Sequence, residues 1–341
     1  MSLKLSDFDY KLPKALIALQ PTKRRDESRL MLVDRKTESI AHYRFGELAQ
    51  LLEDTDLLVL NDTRVFPARL NARAGKSQLE ILLLRELEPQ VWEALIKPAR
   101  KITIPEILHF DDSQLQATVV GTTGGSIRII RFKKVNNFWK TIENIGLIPL
   151  PPYITRSGKE YLVMDRKRYQ TVYSHKIGSI AAPTAGLHFT TELLDRLQHL
   201  FVTLHVGYGT FKPIRSENIQ HHSMDTEYYQ VNKASALQIE KQRLSPYRIV
   251  SVGSTSTRVL EQVFLSHRKI IPSNSWTQLF IFPGFRFRVA DCLLTNFHLP
   301  KSTLFLLTCA FTGTELLKKA YDQAIQEKYR FYSYGDAMLI I

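Results

Sequence analysis

Cysteine is nearly absent: 341 residues hold two, Cys292 and Cys309, with neither a CxxC pair nor a metal-binding spacing. Two thiols in apolar surroundings read as reduced core residues of a cytosolic protein, which excludes a disulfide framework. Long hydrophobic runs are missing as well. The longest, TLFLLTCAF (Thr303 to Phe311), is far short of the roughly 20 residues that span a bilayer. The opening MSLKLSDFDYKLP carries no long apolar stretch after its first basic residue. A secretory signal is therefore not expected, and the reading is cytoplasmic with no membrane partner. Negative charge is also in short supply. Lys and Arg number 46 against 33 Asp and Glu, a formal net charge of +13. That excess favours an anionic partner, although a merely soluble basic surface has the same composition. The basic residues fall in short clusters, Lys23 to Arg25, Ala99 to Lys101, Arg131 to Lys134 and Asp165 to Arg168. Clusters on a folded surface fit a nucleic acid better than one long tail does. Familiar catalytic signatures are missing too: there is no GxGxxG, no GxxxxGK[ST], no GxSxG and no HExxH. His221 and His222 are adjacent and point to opposite faces of an extended chain, so no metal site is expected there.

What is present divides by texture. FGELAQLLED (Phe45 to Asp54) has helical spacing and LLVLND (Leu57 to Asp62) reads as a buried strand. From about residue 69 to 149 the chain is a series of short β-rich runs, QLEILLLREL, VWEALIKPA, LQATVVG and SIRIIRF, closed by the helix FWKTIENIG. That stretch predicts a small inserted β-barrel. IPLPPYI (Ile148 to Ile154) reads as a proline-stiffened return, and the charged stretch up to about Arg168 as a mobile loop. The remainder alternates strands and helices. The fold class is therefore mixed α/β: a discontinuous larger domain, 1–68 plus 150–341, carrying a barrel at 69–149. Within the larger domain TTELLDRLQHL is expected to be helical with a threonine cap, RIVSVGSTSTRVLEQV to run strand, turn, helix, and both LFIFPGFRF and VADCLLTNF to be strands.

Several small polar turns adjoin these strands. VGSTSTR (Val252 to Arg258) offers hydroxyls and backbone N–H groups at a helix start, an arrangement that suits a carboxylate or phosphate. AAPTAGLHF (Ala181 to Phe189) is small and uncharged apart from His188; its alanines and Gly186 leave room for a ligand against the backbone, and Pro183 fixes the path. LHVGYGTF adds His205, Gly207 and Gly209; HHSMDTEYY adds His222, Asp225 and Glu227. LVLNDTRVFPARL ends a strand with Asn61, Asp62 and Arg64, and TNFHLPKSTL places Asn296 and His298 before a capped helix. Any one turn is compatible with plain packing. Together they suggest loops ringed about one pocket.

In this order NDTRVFPARL, IPLPPYI, YQTVYS, AAPTAGLHF, TLHVGYGTF, VGSTSTR, TNFHLPKSTL and EKYRFYSYGDAM closely resemble the S-adenosylmethionine:tRNA ribosyltransferase-isomerases, the queuosine-biosynthesis enzymes of bacteria. The resemblance runs from DFDYKLP to the last residues. It implies an α/β domain with an inserted barrel, in agreement with the texture. It implies a tRNA substrate with a GUN anticodon carrying 7-aminomethyl-7-deazaguanine at the wobble position. S-adenosylmethionine is the co-substrate and gives its ribosyl carbons; adenine and methionine leave, and epoxyqueuosine forms. No permanently bound cofactor and no metal are implied. The chain departs from the pattern at Ser254, where a threonine is usual, and at Asp225, where a histidine is usual.

The chemistry that the resemblance implies needs a base at the carbon beside the sulfonium, an acid for adenine departure and a dry pocket. His188, His205, His222, His298 and Glu227 are the candidate catalytic groups, with Asp225 a rival base. Gly253, Thr255, Ser256 and Arg258 are expected to hold the methionine carboxylate. Asn61, Asp62 and Arg64 are expected to place the ribose or the reacting base. Pro183, Thr184, Gly186, Gly207, Gly209 and Asn296 complete the expected lining. A monomer is expected. Two other classes remain at this point, a tRNA-binding module without catalysis and an α/β enzyme acting on a free nucleotide.

Overall fold

A computed structural model describes residues 3–111, 113–154 and 160–341. The chain forms two compact units. The described parts of Met1–Arg64, Pro152–Thr155 and Arg168–Ile341 make the first, and those of Val65–Pro151 and Arg156–Lys167 the second.

The first unit is built on a nine-stranded sheet. Numbered in chain order, its strands are β1 (Arg29–Asp34), β2 (Ser39–Arg44), β3 (Leu57–Asn61), β4 (His199–Leu204), β5 (Glu227–Val231), β6 (Ile249–Val252), β7 (Ser273–Thr277), β8 (Cys292–Asn296) and β9 (Ala337–Ile340). Their order in space is β7-β5-β4-β3-β6-β8-β9-β1-β2. β4, β3, β6 and β8 are mutually parallel neighbours, with Val202 beside Asn61, Ser251 beside Val59 and Val252 beside Leu294. β3, β6, β8 and β9 are buried along their whole length. Strands covered on both faces need mostly apolar sequence rather than alternation; AMLI is wholly apolar, and IVSV and CLLTN are apolar but for the buried Ser251, Thr295 and Asn296.

Alternate residues of these strands serve different cores. Leu57 and Val59 of β3 pack with the inner faces of helices α1 (Lys233–Arg243) and α2 (Gly253–His267), through Ala236, Ile239, Val259, Leu260 and Val263. Leu58 and Leu60 point the other way, to Phe45, Leu48, Phe189 and Leu193. Helices α3 (Thr303–Thr312) and α4 (Thr314–Gln326) cover Met31, Val33, Leu293 and Met338. The period of two in a strand thus divides one sheet between three hydrophobic clusters.

The second unit contains a closed six-stranded antiparallel barrel made of Arg69–Ala74, Ser77–Glu88, Val91–Lys97, Glu106–Phe110, Gln116–Gly124 and Ile127–Phe132. Alternation fills it: Leu70, Ala72 and Ala74 are buried while Asn71 and Arg73 are exposed. Closure leaves no free sheet edge. Trp92, Phe132 and Phe138 pack around one end of its core, Phe138 from the helix Phe138–Ile145.

Three expectations are corrected. The charged stretch read as a loop is helical over Glu160–Arg168, while Thr155 to Lys159 lie outside the described residues. TTELLDRLQHL is helical only over Thr191–Leu194, capped by Thr190, and His199 already begins β4. LFIFPGFRF is not a strand; Leu279 to Phe287 runs irregularly and packs its aromatic rings on one another and on Phe311. No helix among the described residues is long and apolar enough to cross a membrane.

Candidate active site

Parallel neighbours end at the same side of a sheet, so the residues that follow β4, β3, β6 and β8 are brought together although they are far apart in sequence. These are His205 to Gly209, Asp62 to Arg64, Gly253 onward, and Asn296 to His298. The crevice beyond the carboxyl ends of parallel strands is where open α/β sheets place their ligands.

No turn separates β6 from α2. Val252 ends the strand and Gly253 opens the helix with φ +79°, a left-handed value that glycine accepts without steric cost. Ser254, Thr255 and Ser256 therefore sit in the first helical turn, where amide N–H groups lack intrahelical acceptors. Thr257 is spent locally, on the Gly253 carbonyl at 3.0 Å and the Ser251 hydroxyl at 2.8 Å. Arg258 turns inward and is only 6% exposed. Its Nε donates to the Leu279 carbonyl at 2.9 Å and its Nη1 to Glu227 Oε2. Glu227, also buried, accepts from the Gly207 amide at 2.8 Å. An ion pair out of water holds its geometry through further hydrogen bonds, here to Glu227 Oε1 and from Arg258 Nε, while Arg258 Nη2 is left without a partner.

The Gly-x-Gly spacing serves close approach. A Cβ at Gly209 would lie 2.7 Å from Asp225 Cβ, so the segment lies directly against Asp225. Asp225 in turn accepts from Lys212 Nζ at 2.6 Å. The result is a cleft of about 490 Å³, counting its open mouth. Gly209, Asp225, Glu227, Thr255 and Arg258 line it from the expected set, with Ser254 beside them. Its apolar walls are Val206, Met224, Leu279, Phe280, Ile281, Leu304 and Leu307.

The four histidines do not share this cleft, which corrects the expectation of one ring. His222 does not line it but packs behind its wall: the ring lies edge-on to Phe280, 5.0 Å between centroids. Burial lowers its pKa, opposed by the charge of Asp225. His298 is buried under β8, with Nε2 2.8 Å from the Thr295 hydroxyl and its backbone N–H on the Tyr321 hydroxyl. Burial pushes its pKa down to about 3. His205 bonds Thr63 through Nδ1 at 2.8 Å and stacks on Tyr228; burial takes it to about 4. His188 lines a separate open pocket of about 250 Å³, counting its mouth, with Arg25, Arg168 and Tyr334. The Asn296 amide nitrogen faces two carbonyls, Tyr332 and Asp336, and donates to His188 Nε2 at 3.0 Å. His188 therefore carries its proton on Nδ1 and gives it to Ser28 Oγ at 2.7 Å. Burial, with the charges of Arg330 and Arg25, lowers its pKa to about 3.

Other expected residues are structural in their contacts. The Asn61 side chain extends the ladder between β3 and β4, donating to the Leu204 carbonyl and accepting from the Leu204 amide, both at 2.9 Å. Asp62 accepts from the Thr203 hydroxyl at 2.6 Å, and burial raises its pKa. Arg64 is exposed. Pro183 precedes the 3-10 helix Thr184–His188, which is closed by the Gly186 amide on the Pro183 carbonyl. The room expected at Gly186 is taken: a Cβ there would lie 2.0 Å from the Tyr173 hydroxyl. Ala185 faces Gly253, whose added Cβ would sit 3.4 Å away. AAPTAG is small because the segment is packed beneath the start of α2. Ser256 is fully buried, with a hydroxyl lacking a hydrogen-bond partner. Among the described residues no group of three or more His, Cys, Asp or Glu is placed to hold a metal ion.

A sequence model described as queuosine biosynthesis protein matches residues 5–340. The chain belongs to the queuosine biosynthesis protein family. It is 45% identical over 346 aligned residues to the S-adenosylmethionine:tRNA ribosyltransferase-isomerase of Halothermothrix orenii, covering 99% of this chain and all of that one. The Staphylococcus saprophyticus protein of the same name is also 45% identical with the same coverage. Among solved structures, the S-adenosylmethionine tRNA ribosyltransferase of Thermotoga maritima is 36% identical and superimposes with a TM-score of 0.56, over 98% of this chain and all of that one.

Some lining residues of this queuosine biosynthesis family member carry no sequence signal. Leu279, Phe280 and Ile281 look like a strand, and Leu304 and Leu307 like the core face of a helix. Lys212 is one lysine among many until Asp225 is seen beside it. Ser28 is 160 residues from His188.

Proposed function

We propose that the chain is an S-adenosylmethionine:tRNA ribosyltransferase-isomerase. What carries this reading is likeness over nearly the whole chain, at about 45% identity, to relatives of that name. The cleft at the carboxyl ends of parallel strands, walled by apolar residues and holding a buried carboxylate–guanidinium pair, supports it. The substrate is tRNA with a GUN anticodon bearing 7-aminomethyl-7-deazaguanine at the wobble position. S-adenosylmethionine is consumed as donor of the ribosyl carbons, and adenine, methionine and epoxyqueuosine-tRNA are the products. The enzyme works in the cytoplasm as a monomer, without a metal.

The chain's own contribution is to bind, to exclude water and to hold protons at defined atoms. The sulfonium acidifies the adjacent ribose carbon, so a modest base suffices there. His222 packs edge-on against the cleft residue Phe280, and burial lowers its pKa against the charge of Asp225; it is the proposed proton acceptor. Glu227 is committed to Arg258 and Gly207 and orients the cleft. His188, His205 and His298 are neutral at pH 7 and do not supply protons there. The net charge of +13 suits the phosphates of tRNA.

The test is incubation with S-adenosylmethionine and tRNA bearing 7-aminomethyl-7-deazaguanine. Adenine is followed by chromatography and the nucleoside by mass after digestion. Both adenine and a nucleoside of epoxyqueuosine mass are expected. Tight tRNA binding with neither product would overturn the reading in favour of a binding module. Turnover of S-adenosylmethionine without RNA would favour an enzyme of free metabolites.

A further inference from the structure

We propose that the cleft at the start of α2 holds the aminoacyl end of the sulfonium donor as a zwitterion, its carboxylate on Thr255 and Arg258 and its ammonium on Asp225 and Glu227. The identity of the donor rests on the reaction proposed above; the chemistry of the subsite stands on the side chains. Two buried donors in the cleft lack hydrogen-bond partners, Thr255 Oγ1 and Arg258 Nη2. Arg258 is more than nine-tenths buried, and an unpaired guanidinium nitrogen at such depth is costly unless a ligand atom meets it. The first-turn amides of the 15-residue α2, with no side-chain cap at Val252, add the positive end of a helix at the same place. These are donors for a carboxylate.

The same cleft is lined by Asp225 and Glu227. Asp225 is paired with Lys212 and Glu227 with Arg258, so the four charges cancel. A dianion such as phosphate would sit against two carboxylates with no cation left over. A group carrying both signs meets donors with one end and acceptors with the other. The carboxylates keep acceptor sites beyond those their partners use, which an ammonium with three N–H groups takes up. Met224, Leu279, Leu304 and Leu307 then face the two methylenes and the sulfur.

L-methionine itself is the probe, titrated calorimetrically into the whole protein without RNA. L-methioninol lacks the carboxylate and 4-(methylthio)butanoate lacks the ammonium. Methionine is expected to bind and to compete with S-adenosylmethionine, and each analogue to bind at least about tenfold more weakly. Thr255→Val removes one hydroxyl at constant shape, and Arg258→Lys keeps the charge opposite Glu227 while removing the second nitrogen. Each is expected to weaken methionine and to raise the KM for S-adenosylmethionine more than it lowers kcat. If Arg258→Lys does not fold, Thr255→Val and the two analogues decide. Methioninol binding as tightly as methionine, inorganic phosphate displacing methionine, or Thr255→Val changing neither affinity nor KM would overturn the proposal. Failure of the reaction is separate: it shows as absent adenine release by the unaltered protein while methionine is still distinguished from its analogues.

Discussion

His188, His298 and His205 have pKa values in the folded chain of about 3, 3 and 4, below the ordinary 6.5. Between pH 6.5 and 3 the unfolded chain therefore binds protons that the folded chain does not. Their contribution to stability is intact above about 6.5 and is lost as pH falls toward the folded values, at up to about 1.4 kcal/mol per pH unit for each group. Urea unfolding at pH 7, 5.5 and 4.5 is expected to show this decline, with a shallower slope in His298→Asn; equal slopes would mean that the imidazole is not held neutral. Gly186→Ala forces a methyl into the Tyr173 hydroxyl and is expected to cost about 1–3 kcal/mol, read as a lowered midpoint. The His222→Gln variant should lose most of its kcat with little change in KM, because a base acts in the transition state and not in binding; unchanged kcat would remove His222 from the reaction. Residue types at this scale were legible, residue roles less so. His188 and Asn296 stand out in the sequence, yet their bond to one another spans 108 positions and no local pattern announces it.

Among the elements, strands and helices with strong patterning were readable and their junctions were not. KASALQIEKQRL reads as the helix it is, and Asn232 caps it by accepting from the Ser235 amide at 2.8 Å. Asn232→Ala should lower stability by about 1 kcal/mol in denaturant titration. At Gly253 the expected turn does not exist, because one glycine at positive φ changes strand into helix within a single residue. The Leu279–Phe287 stretch misleads because alternating aromatics fit two structures. Phe280 and Phe282 pack tilted at 5.1 Å, Phe285 and Phe287 edge-on at 5.0 Å, and among the described residues no strand pairs with them. What fixes this segment is partly the Leu279 carbonyl on Arg258, a contact set by tertiary structure alone. The barrel was the easiest element to read, since period-two alternation with glycine turns has few other solutions.

For the molecule as a whole, charge and order decide more than any one side chain. An excess of 13 positive charges predicts tRNA affinity that falls steeply with salt. A fourfold rise from 50 to 200 mM should weaken binding by at least about tenfold, measured by filter retention; a flat response would remove the phosphates from the account. The mixed α/β class with an inserted barrel was visible in texture. The side of the sheet that carries the cleft was not, because it depends on which strands are parallel neighbours.

β9 lies between β8 and β1, yet it is the last of the nine strands in sequence. During synthesis β1 and β2 leave the ribosome first and find no sheet to join. They remain a two-stranded ribbon, marginal in water, until Ala337 to Ile340 has emerged and laid its backbone between Leu30–Val33 and Leu293–Asn296. The nine-stranded sheet is thus completed only once residues 337–340 have been made, and a nascent chain halted before residue 337 is left with the β9-facing edge of β8 unpaired for chaperones to shield.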